Sequence, residues 1–147
     1  MHILQVGPEN VPQVAPLFDA YRQFYRQASD PGGAADFLRQ RIGRGESVVF
    51  LAVLDGAAVG FTQLYPCFSS ISLKRLWILN DLFAAPEARR RGVAKALMER
   101  ARQLALETSA EGLALETAVD NHSAQKLYEE LGWKRDEEFF RYFLRVP

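Results

Sequence analysis

The period of the apolar residues changes from that of a strand to that of a helix across Pro86, and this junction limits the possible folds more than any other feature. Leu76, Trp77, Ile78, Leu79, Leu82 and Phe83 fill the run from Leu73 to Ala84, and only Asn80-Asp81 interrupt it. That pattern predicts a long buried strand carrying two polar groups at its centre. Beyond Pro86, Val93, Ala94, Leu97, Met98, Ala101, Leu104 and Ala105 trace one face of a helix, with Lys95, Glu99, Arg100 and Gln103 opposite. A buried strand that feeds a helix needs a sheet to sit in, so the chain must combine both kinds of element.

The remaining segments supply that sheet. His2 to Val6 reads as a first strand, and Gly7-Pro8-Glu9-Asn10 as a turn with Asn10 a helix cap. Val11, Val14, Leu17, Phe18, Tyr21 and Tyr25 then follow a helical period, with Tyr21, Phe24 and Tyr25 expected in the core. A second helix is expected over Phe37 to Ile42, after the break at Asp30-Pro31-Gly32-Gly33. Val48 to Leu54 and Ala58 to Tyr65 flank Asp55-Gly56 as a hairpin. Leu113 to Val119 is strand-like, Asp120 to Ser123 can start a helix over Ala124 to Leu131, and Gly132 stands at its C-cap. Phe139 to Val146 is expected to be a last, aromatic-rich strand. The order β-α-α-β-β-β-α-β-α-β predicts an α/β fold, a mixed sheet flanked by helices, in a single domain spanning 1–147.

Charge and cysteine content exclude several classes of function. Eighteen basic and eighteen acidic residues leave no broad positive field for nucleic acid. No apolar run approaches the roughly 20 residues that cross a bilayer, so no membrane association is expected. Cys67 is the only cysteine and allows no internal disulfide. The N-terminal residues lack the pattern of a signal peptide, which makes a cytoplasmic location the expectation. Two dispersed histidines and one cysteine make no metal site.

The junction also carries chemistry. Asp81 to Ala94 reads as strand, turn and helix start, and free N–H groups at a helix start bind anions such as a pyrophosphate. Gly92 and Ala94 have little side chain to obstruct that approach, and Arg89, Arg90 and Arg91 add positive charge. Neither the Walker pattern nor the dinucleotide glycine fingerprint is present.

Arg89-x-x-Gly92-x-Ala94 resembles the signature loop of the GCN5-related N-acetyltransferases, which holds the pyrophosphate of acetyl-coenzyme A. Downstream, Asn121, Ala124, Leu127, Tyr128, Gly132 and Trp133 are similar to that family's second motif. Within the family, Leu64-Tyr65 and Trp77 to Phe83 look most like the polyamine and histone/polyamine acetyltransferase subgroup, although its polyamine enzymes tend to carry Glu where Asn80 stands.

The resemblance implies direct transfer of an acetyl group from acetyl-CoA to a primary amine, either on a small molecule such as a polyamine or amino acid, or on a lysine side chain. Arg89, Arg90, Arg91, Gly92, Val93, Ala94 and Asn121 would bind the cofactor, together with Leu82, Phe83 and Ala84 through their backbone. Tyr128 would line the cofactor and protonate the departing thiolate; Asp81, favoured over Glu116, would take the amine's proton. A carboxylate in an apolar strand is costly unless paired or aimed into a cleft, so Asp81 can equally be a buried group hydrogen-bonded to backbone or to Asn80. A non-catalytic acyl-CoA sensor is the alternative, and a homodimer is a further expectation because family members are often dimers.

Overall fold

Asp55 and Gly56 have φ of 52° and 79°, the two left-handed residues that a type I′ hairpin turn requires. They join strands β2 (Val48–Leu54) and β3 (Ala57–Ser69), as the sequence predicts. The computed structural model describes residues 1–147, which fall into two units, Met1–Leu115 and Glu116–Pro147.

The first unit holds a five-stranded sheet in the order β1-β2-β3-β4-β5. Strand β1 (His2–Gln5) pairs antiparallel with β2, and β3 pairs antiparallel with β4 (Lys74–Ala84). Strand β5 (Leu113–Ala114) returns parallel to β4 after helix α3 (Val93–Glu107). Helices α1 (Val11–Phe24) and α2 (Pro31–Gly43) cover one face, where Val14, Ala15, Phe18, Ala34 and Leu38 pack with Val49, Leu51 and Phe61. Their alternates face α3: the Arg100 guanidinium lies 4.4 Å above the Phe50 ring, and Trp77 Nε1 donates to Thr108 Oγ1 at 2.8 Å.

Three local expectations are corrected. Asn10 holds the N-cap position of α1 but makes no side-chain bond to that helix; its side chain accepts from the Gly7 amide and closes a short 3-10 turn, Pro8–Asn10. Phe24 and Tyr25, the last residue and the C-cap of α1, lie outside the core, 65% and 57% exposed. The strand expected over Leu113 to Val119 stops at Ala114.

In the second unit, helix α4 (His122–Glu130) is capped by Asn121, whose side chain accepts from the Ala124 amide. The helix stops in a Schellman turn. Gly132, at φ 93°, donates to the Glu129 carbonyl, and the Trp133 amide to that of Tyr128. The strand expected over Phe139 to Val146 does not form: no main-chain hydrogen bond pairs this stretch with another.

Candidate active site

A bulge in β4 determines which side chains reach the candidate site. Gln63 pairs with Asp81 but Leu64 pairs with Leu79, so Asn80 is the extra residue. Strict alternation would put Trp77 and Phe83 on one face, yet Trp77 bonds to α3 while the Phe83 ring stacks edge-on with Tyr21 of α1 at 6.1 Å. The bulge therefore turns Asp81 onto the α1 face.

Asp81 is buried there and fully engaged. The Gln63 amide donates to Oδ2 at 2.8 Å and the Asn80 amide to Oδ1 at 3.1 Å. Ser47 Oγ donates to Gln63 Oε1 at 2.7 Å, which orients the Gln63 nitrogen toward the carboxylate. Asp81 also acts on Tyr21: burial first, then that negative charge, pushes the Tyr21 phenol well above the usual range. Tyr65 is pushed up to about 12 by burial and then by Asp81, with Arg41 opposing. A buried carboxylate among Tyr21, Tyr65, Phe61 and Phe83 is suited to an amine, because aromatic faces and a negative charge both attract a cation.

Pairing between β4 and β5 ends at Ile78, so the outer edge of Leu82, Phe83 and Ala84 has no strand beside it. The strand's other edge stays paired to Thr62, Phe61 and Gly60. Beyond it, Pro86–Ala88 forms a 3-10 turn, and Arg90 and Gly92 take left-handed φ of 63° and 79° before α3 begins. Val93, Ala94 and Lys95, the first turn of α3, have no main-chain acceptor. Gly60 packs against this turn: a Cβ there would lie 2.7 Å from Val93 Cγ1 and 2.8 Å from the Phe83 carbonyl. Arg89, Arg90 and Arg91 are exposed beside the turn. Arg89 Nε donates to the Ala84 carbonyl at 3.4 Å, and Arg91 approaches Asp55 at 3.8 Å. Free amides, the positive end of a helix dipole and three guanidinium groups fit a pyrophosphate.

The other predicted residues lie in the second unit. Asn121 spends its side-chain oxygen on the α4 cap, and the Tyr128 ring lies tilted against Trp133 across the Schellman turn, centroids 6.3 Å apart. Glu116 is exposed and ion-paired, with Arg141 Nε 2.7 Å from Oε1. His122 is a surface residue opening α4, and no group of three or more His, Cys, Asp or Glu could hold a metal ion.

Residues 14–133 match the model of the acetyltransferase (GNAT) family. The chain is 46% identical over 147 residues to the uncharacterized N-acetyltransferase YhfO of Bacillus subtilis, covering 100% of this chain and 99% of that one. It is 35% identical over 124 residues to a "Probable acetyltransferase" of Haemophilus influenzae, covering 84% and 85%. A solved structure described as that of a "probable acetyltransferase" superposes with a TM-score of 0.95 at 48% identity, covering 100% of this chain and 99% of the other. The chain belongs to the GNAT acetyltransferase family, and it is an acyl-CoA-dependent N-acetyltransferase.

Sequence reasoning missed Gln63, Ser47 and Tyr65, and left Tyr21 as a core residue. Gln63 had a readable signal: an amide inside the apolar run Val59 to Leu64 needs a buried partner, as Asp81 does. Ser47 and Tyr65 had none, since only the sheet register brings them near.

Proposed function

We propose that the protein transfers the acetyl group of acetyl-CoA directly to a primary amine, with Asp81 as the group that accepts the amine's proton. The observation that carries this reading is the bulge at Asn80, which turns a buried carboxylate toward Tyr21 and Tyr65 while the adjoining edge of β4 stays open. When bound, acetyl-CoA supplies an activated thioester.

Arg89, Arg90, Arg91 and the free amides of Val93 and Ala94 hold the pyrophosphate, and the open main chain of Leu82, Phe83 and Ala84 binds and polarises the acyl arm. Gln63 and Asn80 fix the Asp81 oxygens; the proton passes to Asp81 directly or through a water. Glu116, bound to Arg141, is left out of this role. Tyr128 donates the proton that the departing thiolate takes up. Asn121 caps α4, the helix that carries Tyr128.

Relatives support an amine acceptor in general. One of Xenopus laevis is named an N-alpha-acetyltransferase, and one of Salmonella typhimurium an aminoglycoside N(6')-acetyltransferase. The Asp81 carboxylate and the aromatic rings around it suit a cationic amine.

The test is release of coenzyme A thiol from acetyl-CoA across a panel of polyamines, amino acids, aminoglycosides and a lysine peptide. Acceleration by a small amine, lost in Asp81→Asn, supports the reading. Acetyl-CoA binding with no acceleration by any amine would favour a sensor instead.

A further inference from the structure

A cation shares the sheet face that holds Asp81. Phe61, Gln63 and Tyr65 follow one another at a spacing of two along a regular stretch of β3, so all three point toward α1 and α2. Val48 pairs with Leu64, which puts Glu46 and Ser47, the residues just before β2, at the Tyr65 end of that row. Two contacts fix Arg41 of α2 there. Its Nε is buried 3.0 Å from Glu46 Oε1, and its guanidinium carbon lies 5.3 Å from the centre of the Phe37 ring. Nη2 approaches Gln40 Oε1 at 3.5 Å, and Nη1 has no partner. Tyr65 feels both charges, since Asp81 raises its pKa and Arg41 lowers it.

The neighbouring carboxylates are already engaged. Asp19, the other buried one, accepts from the Asp30 amide, the Ser29 hydroxyl and the Gln23 side chain, and Glu46 is paired with Arg41. A second ammonium group on the acceptor would find neither of them free and would meet an arginine instead. Free guanidinium N–H groups are donors for a carboxylate.

We infer that the acceptor is an amine that also carries a carboxylate, its nitrogen directed to Asp81 and its carboxylate bound by Arg41. Glu46 holds the guanidinium by one side and leaves Nη1 to the acceptor. The step from Gln63, which pairs with Asp81, to Tyr65 is about 7 Å along the strand, so the amine and the carboxylate are several bonds apart. The inference rests on the acetyl-transfer reading and adds the acceptor's second functional group to it.

The experiment compares ω-amino acids, from glycine to 6-aminohexanoate, with the alkylamine of equal chain length and with diamines in the thiol-release assay. Calorimetric titration of the same compounds into the coenzyme A-bound protein reads recognition without turnover. At the best chain length the amino acid is expected to exceed its alkylamine by about tenfold or more in kcat/KM and in affinity, the share of a hydrogen bond to a charged group. In Arg41→Gln that ratio is expected to fall to about threefold or less, and Arg41→Lys is expected to keep part of it. If Arg41→Gln misfolds, as seen by circular dichroism, the ratio in the unaltered protein and in Arg41→Lys decides. Alkylamines or diamines used as well as every amino acid, or a preference that survives in a folded Arg41→Gln, would overturn the inference and leave the transfer reading standing. Amino acids that bind preferentially through Arg41 without any thiol release would overturn the transfer reading instead. Neither release nor a binding preference would overturn both.

Discussion

The Gln63 side-chain amide donates to Asp81 Oδ2 at 2.8 Å across the β3–β4 pair, in register with the bulge at Asn80. Removing the charge while keeping the shape isolates the carboxylate's chemistry. Asp81→Asn is expected to lower kcat/KM about 100- to 10,000-fold, the usual range for a lost general base. Gln63→Leu leaves Ser47 and Asp81 short of a partner and is expected to cost about 1–3 kcal/mol in urea unfolding. An Asp81→Asn enzyme with unchanged kcat/KM would remove Asp81 from the reaction.

Tyr128→Phe removes only the hydroxyl and keeps the ring that packs on Trp133, so the end of α4 is expected to survive. Turnover should fall about 100-fold or more if the phenol is the acid, while coenzyme A affinity stays within a few-fold. Steady-state rates and calorimetric titration separate the two. An equal loss in both quantities would mark a binding role.

Gly60→Ala tests the close approach beneath α3. The added methyl would meet both the Val93 side chain and the Phe83 carbonyl, and only the first can move away cheaply. The expected cost is about 1–3 kcal/mol from overpacking, together with a smaller coenzyme A-induced rise in Tm than the parent shows. Adding Val93→Ala should restore part of the stability.

Asp19 anchors the segment between α1 and α2. The Asp30 amide at 2.8 Å is the main cause that holds its carboxyl below the usual range, followed by the Ser29 hydroxyl at 2.7 Å. The folded pKa lies below the unfolded value, so the stabilisation is fully present above about pH 4 and is lost as pH falls through the lower folded value. Asp19→Asn should therefore lower the urea midpoint at pH 7, and the gap to the parent should narrow toward pH 2. A constant gap would contradict the linkage.

Much of the fold was legible because periodicity is local. The hairpin at Asp55-Gly56, the α3 stripe from Val93 to Ala105 and the stop at Gly132 each rest on residues close in sequence, and all three stand. The second motif also gains a physical reading: Gly132 and Trp133 are the C′ and C″ positions of a Schellman turn whose hydrophobic contact is made by Tyr128. The strand at Phe139 to Val146 was misread because strand composition states a need for a neighbour without naming where that neighbour is.

By itself the sequence determined the element types, the positive cluster before α3 and the family, since periods, caps and short motifs act over a few residues. Only the tertiary structure decided which face Asp81 takes, that Gln63 and Tyr21 are its partners, and that β5 ends at Ala114. A one-residue bulge inverts every later side chain in a strand, and register depends on a neighbour distant in the chain.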